Sequence, residues 1–105
     1  NMTLKELQKL CIDNGFKCSY GKSKEIISTP YITITSEEST NFSADDKAFF
    51  IKTPVELEYT YKDKNLNDQN KIENNILKDF SWRKSDETYL SSERAWQVSY
   101  FFEIF

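Results

Sequence analysis

Histidine is absent from the 105 residues, which removes the commonest general base and the commonest metal ligand near neutral pH. Hydrolytic constellations built on imidazole fall with it. Glycine is scarce as well. The two present, Gly15 and Gly21, have five residues between them, whereas a phosphate-binding loop that ends in Gly-Lys-Ser needs four. The Gly21-Lys22-Ser23 match also follows a helical pattern and runs toward a strand, when such a loop needs a strand before it and a helix after. It reads as a polar turn. Cys11 and Cys18 are the only cysteines, and the chain shows no apolar signal segment, which argues against a secreted disulfide framework. No run approaches the roughly 20 apolar residues that span a bilayer, so no membrane partner is expected.

What is present describes a chain that folds. Aromatics make up 15% of it, with eight Phe, six Tyr and two Trp, too much bulky apolar surface for a disordered polymer. A chain of this length forms one domain and buries about 65% of the surface its unfolded state exposes, so a single domain over 1–105 is expected, with Asn1 ahead of Met2 reading as an expression scar. Fourteen basic residues against seventeen acidic leave a net charge of −3, the wrong sign for a broad phosphate-contacting surface.

Periodicity orders the elements. Leu4, Leu7, Leu10 and Cys11 fall on one helical stripe, with Thr3 placed to cap it, Glu6 in its first turn and Asn14-Gly15 as its exit. Cys11 on that stripe reads as a buried, inert thiol. After a short run from Phe16 to Tyr20 and a polar turn, Pro30 introduces the strand Tyr31 to Thr35, all β-branched or aromatic. Lys47 to Lys52 and Val55 to Lys62 read as two further strands. In the second, Val55, Leu57, Tyr59 and Tyr61 face one way and Glu56, Glu58 and Thr60 the other, so one sheet face is wet or meets a polar partner. A second helix follows, with Ile72, Ile76, Leu77 and Phe80 as its stripe and Asn65 or Asn67 as its cap. Short strand-like pieces lie at Trp82 to Lys84 and Thr88 to Leu90. Ala95 to Phe105 is the longest strand, with Trp96, Val98, Tyr100, Phe102 and Ile104 on one face and Gln97, Ser99, Phe101, Glu103 and Phe105 on the other. This order predicts an α+β domain in which a mostly antiparallel, mixed sheet carries two helices on one face. Its aromatic content exceeds what two short helices cover, which favours a partner subunit.

The chemistry-bearing residues admit a sharp and a plain account. Asp45 and Asp46 with Glu56 and Glu58 could hold a magnesium ion for a small nuclease, but position 58 is Glu where such sites usually carry a lysine. The plain account makes Asp45-Asp46 a turn and the two glutamates a solvated or interfacial sheet face. Alternating aromatics could stack single-stranded nucleic acid, yet that mode needs a positive groove and the basic residues here are scattered. Asn41-Phe42-Ser43 matches a glycosylation sequon incidentally. No cofactor is called for.

Several segments in order resemble a known family. They are Pro30-Tyr31-Ile32, Asn41-Phe42-Ser43-Ala44-Asp45 with Lys47, Val55-Glu56-Leu57-Glu58-Tyr59-Thr60, Glu87-Thr88-Tyr89, and Trp96-Gln97-Val98-Ser99-Tyr100. From Thr3 to its end the chain is similar to the small tail-completion, or tail-terminator, proteins of siphophages and prophages of Gram-positive bacteria. The resemblance implies a non-enzymatic virion protein, present in the host cytoplasm during assembly. It would form a ring, typically of six copies, that caps the tail tube and offers the head its attachment surface. The implied partners are other copies of itself, the tail tube protein and head or neck connector proteins, with DNA passing through unbound. A head-completion or head-tail joining protein is the neighbouring alternative. On this resemblance Asn41, Phe42, Ala44, Asp45, Asp46 and Phe49 become candidate subunit-interface residues, and Glu37, Glu38, Glu56 and Glu58 candidate lumen-facing charge. Phe42→Ala or Asp45→Lys is expected to leave the subunit folded and to weaken ring formation. Sedimentation showing unchanged assembly for both would count against that interface.

Overall fold

Helix α1 (Leu4–Asp13) begins where the sequence places its cap. The Thr3 hydroxyl accepts the Glu6 N–H at 3.1 Å and the Glu6 carboxylate accepts the Thr3 N–H at 2.9 Å, a reciprocal capping box. The helix ends at Asn14, and Gly15 leaves it at φ 91°, a left-handed conformation that L side chains adopt only with strain. The computed structural model describes residues 3–20, 28–36, 53–64 and 66–104. The strand expected over 47–52 lies outside them.

Six strands follow: β1 (Cys18–Tyr20), β2 (Tyr31–Ser36), β3 (Thr53–Tyr61), β4 (Arg83–Lys84), β5 (Thr88–Leu90) and β6 (Ala95–Ile104). They form one sheet in the order β1-β2-β3-β6, with β4 and β5 sharing the outer edge of β6. β1 runs parallel to β2, and every other pairing is antiparallel. The domain is therefore α+β with a mixed six-stranded sheet and two helices.

Strand parity decides what is buried. Ile32 and Ile34 of β2 stand opposite Tyr59 and Leu57 of β3, which in turn face Val98 and Tyr100 of β6. All six are fully buried and share one core with Leu7, Cys11, Ile72, Ile76 and Leu77 of the helices. Both helices thus cover the same face. Helix α2 (Leu66–Lys71) starts at the residue after Asn65, so of the two expected caps Asn67 lies inside its first turn and Asn65 lies outside the described residues. A π-helical turn over Ile72–Ile76 continues it, in which the Leu77 N–H reaches the Ile72 carbonyl at 2.9 Å. The wider turn lets the adjacent residues Ile76 and Leu77 both reach the core, a pair that ordinary helical spacing would set about 100° apart.

Two core tyrosines tie this helical layer to the sheet, and a third pins the connection between β4 and β5. Tyr59 donates to Asp68 at 2.8 Å, Tyr100 to Glu73 at 2.8 Å, and Tyr61 to Glu87. The rings are buried apolar surface and the phenols need partners. Lys84 of β4 closes the group, donating to Glu73 and to Gln69 at 2.8 Å each. Burial pushes all three phenols up, and the acceptor carboxylates add to it. For Glu73 burial pushes the carboxyl up, but donation from Lys84 and Tyr100 outweighs it and holds the group below its ordinary value. Donation from Tyr61 and Lys64 lowers Glu87 likewise. At the other end of the layer, Cys11 and Cys18 face each other across the α1–β1 contact. The interaction with the neighbouring Cys18 thiol, with burial, raises Cys11 well above a free thiol, while the same interaction lowers Cys18. Cys11 is fully buried, as its place on the apolar stripe suggests.

A carboxylate lowered in the folded state stabilises the fold above its unfolded pKa and loses that contribution as pH falls through the folded value. Stability should therefore decline below about pH 4.5, the ordinary value for Glu73 and Glu87. Chemical denaturation of Glu73→Gln across that range is expected to show a shallower acid decline than the native chain, together with lower stability at neutral pH.

Candidate functional site

The face of the sheet opposite the helices is uncovered among the described residues. Its rows follow from the register. Tyr31, Thr60 and Gln97 form one row, Thr33, Glu58 and Ser99 the next, and Thr35, Glu56 and Phe101 a third that ends on Arg83 of β4. These alternate positions are the ones left polar when β3 and β6 commit their odd and even residues to the core.

The upper part of this face is tied together. Gln97 donates to the Thr60 hydroxyl at 3.3 Å, and Tyr31 donates to Glu93 at 2.9 Å. Thr60 is fully buried beneath this cover. Glu93 arrives through the turn between β5 and β6, where Arg94 takes a left-handed φ of 52°, uncommon for a residue with a side chain. The lower part opens into a groove of about 910 Å³ lined by Thr35, Pro54, Glu56, Glu58, Phe101 and Arg83 among others. Glu56 accepts from Ser99 at 3.0 Å. The Arg83 guanidinium sits over the Phe101 ring, 5.7 Å from its centre. This is a cation–π contact that occupies the one base among the described residues that line the groove.

Glu58 is the anomaly. It is half-buried in the centre of the face, and among the described residues no basic group lies within ion-pair distance of it. Burial, with the charges of Glu56 and Glu93 nearby, pushes its carboxyl up. Glu73 and Glu87 on the helix side are partnered by tyrosine and lysine and lowered. This one is crowded by like charge and raised.

Of the residues that the sequence marks as candidates, the structure brings Glu56 and Glu58 onto this open face, on neighbouring rows of β3. Glu37, Glu38, Asn41, Phe42, Ala44, Asp45, Asp46 and Phe49 lie outside the described residues. Sequence reasoning missed Glu93, Tyr31 and Arg83 as members of the face. Period-two alternation marks Tyr31 and Arg83 once their strands are placed, but nothing local signals Glu93, whose partner Tyr31 is 62 residues away. Among the described residues no group of three or more His, Cys, Asp or Glu side chains could hold a metal ion, so Glu56 and Glu58 gain no third ligand from them. No described helix is long and apolar enough to cross a membrane. Exposed apolar side chains ring the domain elsewhere: Ile12 on α1, Tyr20 on the edge strand β1, and the edge-to-face pair Tyr89 and Trp96.

No family model, curated protein or solved structure matches the chain.

A raised carboxylate opposes folding above its folded pKa, and the penalty is relieved as pH falls through that value. Glu58→Gln is therefore expected to raise the thermal midpoint at about pH 7 and to change it less at about pH 4. A lower midpoint at neutral pH would show that Glu58 is satisfied within its own chain.

Proposed function

We propose that this chain is a structural protein of a siphophage or prophage tail, of the tail-terminator kind, that closes into a ring, caps the tail tube and offers the surface to which the head attaches. The observation that carries the reading is the uncovered face of the two longest strands. It combines half-buried acids, an apolar floor at Phe101 and Pro54 and a carboxylate with no counter-charge among the described residues. A folded subunit keeps such a face for something that covers it. The order of the sequence segments that resemble the family supports the same reading, from Pro30-Tyr31-Ile32 through the β3 strand to Trp96-Gln97-Val98-Ser99-Tyr100.

On this proposal the protein acts by shape and self-association and needs no reacting group. A ring requires heterologous contacts, in which one patch of a subunit meets a different patch of the next and the rotation closes. A net charge of −3 suits a bore through which DNA slides, since acidic walls do not arrest phosphates by ion pairing. Glu37 and Glu38 remain the proposed bore-facing acids of the loop. The partners are other copies of the chain, the tube protein below and the head or neck connectors above. Localisation is to the tail or neck of the virion, and to the host cytoplasm before assembly.

Deletion of the gene should yield overlong tail tubes in electron micrographs of the lysate. Normal free tails beside unjoined heads would assign the protein to head completion instead. Nicking of plasmid by the purified protein with Mg²⁺ or Mn²⁺, abolished by loss of Glu56 or Glu58, would replace the structural reading with a nuclease.

A further inference from the structure

Resting on the self-assembly reading above, we infer that the acidic groove of one subunit receives the outer stripe of helix α1 from the next, with Lys5 and Lys9 against Glu58 and Glu56 and Ile12 against Phe101. The stripe follows from helical geometry. Leu7 and Cys11 point into the core, so the residues about half a turn away, Lys5, Lys9 and Ile12 at i, i+4 and i+7, share the outward ridge. All three are exposed, and Ile12 keeps 51% of its surface open. Neither lysine has an ion-pair partner among the described residues. Glu6, the nearest acid in the first turn, is turned back into the capping box at Thr3.

The spacings agree. Residues four apart on a helix are separated by about 6 Å along its axis, and residues two apart on a strand by about 7 Å. Two ammonium groups on α1 can therefore meet Glu56 and Glu58 together. Phe101 is the cross-strand neighbour of Glu56, so an apolar side chain one turn beyond a lysine lands beside its ring. The charges are complementary too: the groove has its one arginine engaged over Phe101, and the stripe brings the base that Glu58 lacks.

Placement then determines the symmetry. Helix α1 packs on the core face, and the groove lies on the opposite face. No single subunit can join its own stripe to its own groove. A contact between different patches on opposite sides of the domain is heterologous by construction, which is the kind that closes into a ring. The groove acids then belong to the subunit joint, and the bore draws its charge from elsewhere.

The test is a charge exchange read by sedimentation velocity at matched concentration, with circular dichroism and thermal melting to confirm that each variant folds. Glu58→Lys and Lys5→Glu are each expected to weaken self-association by roughly tenfold or more, because each sets like charges face to face. Mixing the two variants should restore assembly, since the groove altered by Glu58→Lys meets the helix altered by Lys5→Glu, and the second contact of the alternating ring is native. The doubly exchanged chain should assemble alone, and raising the salt should weaken the native assembly. Two folded single variants that assemble like the native chain would overturn the docking while leaving the ring standing, with the groove then covered by other means, the chain's own 37–52 segment included. Loss of assembly that neither mixing nor double exchange repairs would also overturn it. A native chain that stays monomeric at every concentration, even beside polymerised tube subunits, would sink the ring reading and the docking together.

Discussion

Nine cross-strand partners, from Thr53 opposite Ile104 to Tyr61 opposite Trp96, hold β3 against β6. Everything else about the two faces depends on that register, because side chains alternate with a period of two and a slip of one residue would exchange the faces entirely. The slip would bring Glu56 and Glu58 of β3 into the core and expose Leu57 and Tyr59, or, if β6 shifted instead, bury Glu103 and expose Val98. Burial of an unpaired carboxylate is far costlier than any alternative pairing could offset. The acids that mark the open face therefore also enforce the register that creates it.

The two faces handle negative charge in opposite ways. On the helix side, each carboxylate that approaches the core meets a donor: Asp68 meets Tyr59, Glu73 meets Tyr100 and Lys84, and Glu87 meets Tyr61 and Lys64. The phenols supply apolar area and a directed hydrogen bond at once, which lets a thin helical layer hold to a sheet through both packing and polar pins. The π-helical turn belongs to the same solution, since it brings Ile76 and Leu77 to the core while Glu73 reaches Tyr100. On the open side, Glu58 has neighbours of its own sign and, among the described residues, no base within ion-pair distance. Such a site stabilises nothing within the subunit. That is the physical reason to read it as an assembly surface, with the lysines of α1 as its complement on the far side of the domain.

How much of this was legible in the residues varies with the range of the interaction. The α1 boundaries were readable from Thr3, Glu6 and Gly15, because capping and exit conformations are decided within four residues. Strand β3 was readable as a two-faced element because Val55-Glu56-Leu57-Glu58-Tyr59 alternates without a break, and the composition of both faces of β6 followed in the same way. The second helix was placed by Ile72, Ile76 and Leu77, and its start at Leu66 is the one that the Asn65 cap implies, but its π-helical turn was not legible, since it answers to the packing of that stripe on the sheet. The strand order was not legible either, nor was the parallel return of β1 beside β2.

The order of residues alone was enough for the fold class, for the first helix with its cap, and for which face of the sheet each residue of β3 and β6 takes, because hydrogen bonding near a helix end and alternation along a strand are local properties; the burial of Thr60 and Ser99 and the exposure of Trp96 were decided by packing. Folding in three dimensions was needed to join Glu93 to Tyr31, to set Cys11 against Cys18, to leave Glu58 without a base, and to put the lysine stripe of α1 opposite the acidic groove. Those are relations between segments distant in the chain. The register of β3 on β6 and the side of the sheet on which the helices pack set them, and neither is written in any one stretch of residues.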